Sequence, residues 1–104
     1  MKRSKVLEVL TRVKLTLVSR FGVVQLLLFG STARDEAQPD SDVDIVVSFD
    51  GPATSQKYFG VQFHLEDALG CSVDLVTEKA LRQELRPFIE QEAVSVLARM
   101  AFLC

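Results

Sequence analysis

At 104 residues the chain has room for one domain and not for two of ordinary size, so a single core must hold it together. With 48% hydrophobic and 25% charged residues, 5 glycines and 3 prolines, it falls outside the collagen-like, low-complexity and disordered classes. Twelve basic against 14 acidic side chains leave a formal charge of −2, which gives no global field to draw in nucleic acid.

The elements follow in chain order. Met1-Lys2-Arg3 has the basic character of a signal-peptide start, but Glu8, Arg12 and Lys14 interrupt the apolar stretch that would have to follow. No run approaches the roughly 18 apolar residues of a membrane span. Val6, Leu7, Val9, Leu10, Val13, Leu17 and Val18 recur at helical spacing and predict an amphipathic helix over 4–20, with Ser4 as its cap and Gly22 as its stop. Val23–Phe29 is a short apolar run ended by Gly30-Ser31 and reads as a buried strand. Thr32–Ala37 has room for one or two helical turns before the Gln38-Pro39-Asp40-Ser41 turn.

Val43–Phe49 is a second strand and Ser72–Val76 a third, separated by the Gly51-Pro52 turn and a helix over 55–69 that Gly70 closes. Thr77 then caps a helix reaching Arg86, and Pro87 breaks or restarts it. Val94-Ser95-Val96-Leu97 reads as a short edge strand or as continued helix. Strands alternating with helices define an α/β (α+β) domain with helices packed on a small sheet.

Chemistry concentrates between Gly30 and Asp44. A glycine where a buried strand ends lets a ligand approach the backbone, and the amides that follow form an anion site to which Ser31 adds a hydroxyl. Alone, Gly-Ser reads best as a strand-to-helix turn. Asp42-Val43-Asp44 changes that, because residues two apart on a strand share a face. Two like charges roughly 5 Å apart repel by about 3 kcal/mol at an effective dielectric near 20, unless they are solvated, share a proton or hold a cation. Asp74 places a third carboxylate in an otherwise apolar strand. If the two strands are neighbours, all three acids converge into a hard-oxygen site of the kind Mg²⁺ favours. A phosphate cradle followed by paired carboxylates is the layout of two-metal phosphoryl transfer.

Gly30-Ser31, ten intervening residues, and Asp42-Val43-Asp44 resemble the signature of the DNA-polymerase-β-like nucleotidyltransferase superfamily. Gly30-Ser31-Thr32-Ala33-Arg34 with Ser41-Asp42-Val43-Asp44-Ile45-Val46-Val47 is similar to its minimal nucleotidyltransferase group, and the likeness extends over most of the chain. The resemblance implies one nucleotidyltransferase domain over 1–104, built on a small mixed sheet with flanking helices. It implies that Gly30, Ser31 and Arg34 bind nucleotide, and that Asp42, Asp44 and Asp74 are catalytic and bind Mg²⁺, as a two-ion site. Arg34 either contacts phosphate or pairs with Asp35, Glu36 or Asp40.

Minimal members of the group are typically antitoxins whose partner is a HEPN-domain RNase toxin. The implied reaction transfers AMP from ATP to a tyrosine hydroxyl of that toxin. The alternatives are a toxin-neutralising binding module with a vestigial nucleotide site and an aminoglycoside-type nucleotidyltransferase. A polymerase is disfavoured, since the short acidic chain has no evident basic groove.

Elsewhere the plainer readings prevail. His64, the single histidine, is expected to be exposed or packed rather than a catalytic base. Tyr58, Phe59 and Phe63 are expected in the core rather than as an adenine platform. Cys71 reads as a small core residue and Cys104 as a C-terminal thiol, consistent with a reducing cytoplasm. The apolar tail from Val94 to Cys104 either folds over the sheet or forms a surface for a partner or a homodimer; we expect the partner surface. Neither nucleic acid nor membrane is an expected partner.

Overall fold

The computed structural model describes residues 2–30, 42–80, 84, 87, 91 and 93–97. The helical turns expected over 32–37, Ser31, Arg34, most of 81–92 and the tail from 98 to 104 lie outside the described residues.

Helix α1 spans Arg3–Phe21. Val6, Val9, Leu10 and Leu17 are buried, and their three- and four-residue spacing gathers them on one face. Ser4 is not the cap. The helix starts earlier, with Lys2 at the N-cap making no side-chain capping bond, and the Val6 amide already reaches the Lys2 carbonyl at 3.1 Å. Gly22 ends the helix as expected, at φ 69°, its amide turned back to the Leu17 and Val18 carbonyls.

Strands β1 (Val23–Phe29) and β2 (Val43–Phe49) pair antiparallel. Helix α2 (Ser55–Leu69) follows, with the Thr54 hydroxyl accepting the Lys57 amide at 3.2 Å and Gly70 closing it. Strand β3 (Val73–Thr77) lies parallel to β2, and a single 3-10 turn (Glu78–Ala80) follows, its Ala80 amide bonded to the Thr77 hydroxyl at 3.3 Å. Thr77 therefore caps a turn, while the expected continuation to Arg86 falls largely outside the described residues.

Strand β4 (Val94–Leu97) pairs antiparallel with β1, which completes the order β3-β2-β1-β4. Pairing decides between strand and helix here. Val94, Val96 and Leu97 pack against the core while Ser95 is exposed, so the start of the apolar tail is sheet rather than an open surface.

A parallel β2–β3 pair needs a crossover, which α2 supplies. Val43, Ile45 and Val47 of β2, Leu26 and Leu28 of β1, and Val73 and Leu75 of β3 form one core with the buried faces of α1 and α2. The fold is thus mixed α+β, with α1 and α2 on one side of the sheet. Asp44 and Asp74, which alternate with those core residues, project to the other side.

Candidate active site

Asp42, Asp44 and Asp74 lie at the same end of the β2–β3 pair. Asp44 and Asp74 stand opposite each other in the parallel register of β2 and β3, and side chains opposite in a sheet share a face. Asp42 lies two residues before Asp44, at the entrance to β2, and alternation brings it to that same face. Asp42 and Asp74 are exposed and Asp44 is half-buried.

Gly30 completes the arrangement. Phe29 at the end of β1 pairs with Asp44, so the next residue sits against the Asp44 side chain. A Cβ built on Gly30 would lie 3.0 Å from Asp44 Cγ and closer still to Oδ2, and the backbone there has φ 76°. Two independent demands, a left-handed backbone and a carboxylate in the space a side chain would take, are both met by glycine alone. Ser31 and Arg34, its expected partners in the phosphate cradle, lie outside the described residues.

Their chemistry suits a hard divalent cation: oxygen donors only, on adjacent strands about 4.8 Å apart. Among the described residues no three acidic, histidine or cysteine side chains are drawn together closely enough to hold an ion. The backbone fixes which side chains share the face; which oxygens converge is then set by rotation about χ1 and χ2.

Other tempting residues fall outside this end of the sheet. His64 is half-buried with its ring 6.5 Å from that of Phe21, tilted by 60°, so it is a packed imidazole. Phe59 and Phe63 overturn the expectation of core packing, being 50% and 66% exposed. The buried face of α2 is set by Val61, Leu65 and Leu69, which turns Phe59 and Phe63 outwards and leaves Tyr58 to pack inwards. Cys71 is a free, half-buried thiol beside the core; burial pushes its pKa up, and the nearby Asp42 and Glu66 carboxylates add to the rise.

A cleft of about 420 Å³ lies elsewhere, lined by Val18, Val23, Val24, Phe49, Asp50, Gly51 and Leu97. Val23 pairs with Phe49 six residues along β1 from the Phe29–Asp44 pair, so the cleft is about 20 Å from the carboxylates. Sequence reasoning passed over Gln62 and Glu66, which reach the backbone of Val73 beside Asp74. The available signal was their four-residue spacing on a helix whose apolar face points elsewhere.

Residues 10–96 match the nucleotidyltransferase domain family, and the chain belongs to it. It is 39% identical over 89 residues to protein adenylyltransferase MntA of Thermococcus cleftensis, covering 86% of this chain and 90% of that protein, which places it among the adenylyltransferases. The solved structure of a minimal nucleotidyltransferase aligns at TM-score 0.77 with 36% identity, covering 90% of this chain and 95% of the other. A chain of the complex between the tri-AMPylated HEPN toxin of Shewanella oneidensis and its MNT antitoxin shares the fold at TM-score 0.64 and 18% identity, covering 88% and 72% of the two chains. Among the described residues no helix is long and apolar enough to cross a membrane.

Proposed function

We propose that this chain is the antitoxin of a HEPN toxin–antitoxin pair and transfers AMP from ATP, in the presence of Mg²⁺, to a tyrosine of the toxin. The observation that carries the reading is the cross-strand pairing of Asp44 with Asp74, with Gly30 pressed against Asp44. It is supported by the adenylyltransferase relative and by the fold shared with a chain of the complex between an AMPylated HEPN toxin and its MNT antitoxin.

In this reading the tyrosine oxygen attacks the α-phosphorus of ATP, the bond from that phosphorus to the bridging oxygen breaks, and diphosphate leaves. Gly30 gives the triphosphate close access to the backbone, and Ser31 and Arg34 are the proposed further contacts to it. Asp42, Asp44 and Asp74 would hold Mg²⁺, which neutralises the triphosphate and stabilises charge on the leaving diphosphate. Asp74, which is exposed, would orient the incoming hydroxyl and take its proton.

The test uses α-labelled ATP, Mg²⁺ and the HEPN RNase proposed as the partner. Label is expected on the RNase with the wild-type chain and not with Asp42→Asn or Asp44→Asn. Neutralisation of the RNase that survives both substitutions without transfer of label would instead make the chain a binding module.

A further inference from the structure

Strand β3 carries Asp74 and is a sheet edge among the described residues, with β2 on one side only. In a parallel pair, alternate residues turn their backbone groups to the neighbour and away from it. The Val43 amide bonds the Ser72 carbonyl at 3.0 Å, so the groups of Val73 and Leu75 point outwards, away from β2. Unpaired, that edge would be free to fray or to recruit another strand.

Three side chains of α2 take the place of the missing strand. Glu66 Oε2 accepts the Val73 amide at 3.0 Å, Gln62 Nε2 donates to the Val73 carbonyl at 3.2 Å, and the Tyr58 hydroxyl donates to the Leu75 carbonyl. Residues 58, 62 and 66 are four apart, which on a helix is one face and about 6 Å per step. Outward groups on a strand recur every two residues, about 6.6 Å apart. The two repeats match closely enough for one helix face to run along the strand edge.

We infer that Tyr58, Gln62 and Glu66 are positioning residues for Asp74, holding backbone groups of Val73 and Leu75 on either side of it so that its carboxylate stays opposite Asp44. The inference rests on the proposed role of Asp74. Held from both edges, β3 has the constraint of a central strand while its Asp74 side chain remains exposed. None of the three touches the reacting atoms; they act through the backbone.

Glu66→Met removes the acceptor at similar length, Glu66→Gln keeps an acceptor and removes the charge, and Asp74→Asn is the control. AMP transfer to the proposed HEPN RNase partner is followed at saturating and limiting ATP, and hydrogen exchange at the Val73–Leu75 amides is measured without substrates. Glu66→Met is expected to speed exchange at Val73 at least tenfold and to lower kcat about 10- to 100-fold, the scale of a roughly 1 Å misplacement, with KM for ATP within twofold. Glu66→Gln is expected to restore both towards wild type. Tyr58→Phe, which deletes the hydroxyl donor to the Leu75 carbonyl, repeats the transfer measurement should Glu66→Met fail to fold.

An active Asp74→Asn would remove the proposed role of Asp74 itself. An inactive Asp74→Asn alongside an unimpaired Glu66→Met would overturn the positioning role and leave the function standing. Equal loss in Glu66→Met and Glu66→Gln would assign the effect to charge and overturn it as well.

Discussion

Gly30→Ala separates backbone strain from damage to the site, because the fold supplies its own control. Gly22 has nearly the same left-handed backbone, φ 69° against 76°, yet a Cβ added there meets nothing within 4 Å. Gly22→Ala therefore bears only the cost of placing alanine in that region, about 1 kcal/mol, or a fall in Tm of about 4–8 °C for a domain of this size. Gly30→Ala bears the same strain and in addition drives its Cβ into the Asp44 carboxylate, whose Cβ would be 3.2 Å away and whose oxygen is nearer. Asp44 is half-buried at a strand end, so the cheapest relief is to rotate its carboxylate away from the shared face. The expected outcome is a Tm within a few degrees of Gly22→Ala but AMP transfer reduced by about 100-fold or more, as for other misplaced catalytic groups. Thermal unfolding and α-labelled ATP transfer, run on both variants side by side, give the two numbers. Full activity in Gly30→Ala would refute the reasoning, since Asp44 could then not be needed where the structure places it. Equal inactivation of both variants would point to loss of the fold.

Three further outcomes follow from local geometry. Gly60→Ala should lose stability despite the roughly 1 kcal/mol that helix propensity offers, because the new Cβ would meet the Phe21 ring at 3.1 Å from Cζ; that ring is flanked by His64 and Arg20, so a loss of about 1–3 kcal/mol is expected in chemical unfolding. Thr54→Ala removes the acceptor for the Lys57 amide and should cost about 1 kcal/mol by the same measurement, with AMP transfer unchanged. Cys71 should react with iodoacetamide at pH 8 more slowly than a free thiol, since burial and the Asp42 and Glu66 carboxylates raise its pKa and so lower the thiolate fraction; Asp42→Asn should speed the reaction, and no change would separate the thiol from the acidic site.

How much of this could be read from the chain alone depended on whether the physics involved was local. The α2 limits, from Ser55 to Leu69, were legible because the Gly51-Pro52 turn precedes the helix and Gly70 acts within one turn of its end, although the Thr54 cap went unread. The same-face placement of Asp42 and Asp44 needs only the two-residue period of a strand. The meeting of Asp44 and Asp74 needed a long-range fact, the adjacency of β2 and β3. It was reachable as a conditional because a strand–helix–strand unit with a helix as short as α2 tends to bring its two strands side by side.

What escaped was anything decided by competition between neighbours. Ser4 has the chemistry of a cap, yet the apolar stripe beginning at Val6 lets the helix start before it, and core packing outweighs a capping bond worth about 1 kcal/mol. Phe59 and Phe63 are individually the most hydrophobic candidates in α2, but Val61, Leu65 and Leu69 already fill the space between helix and sheet. The clamp on β3 was hidden for the complementary reason. Gln62 and Glu66 read as ordinary solvent-facing polar residues until the outward backbone groups of Val73 are known, and those depend on which side β2 pairs. If Asp74 acts as proposed, its strand, an edge among the described residues, is held on its open side by the polar face of the crossover helix, which would then serve the site alongside the acids.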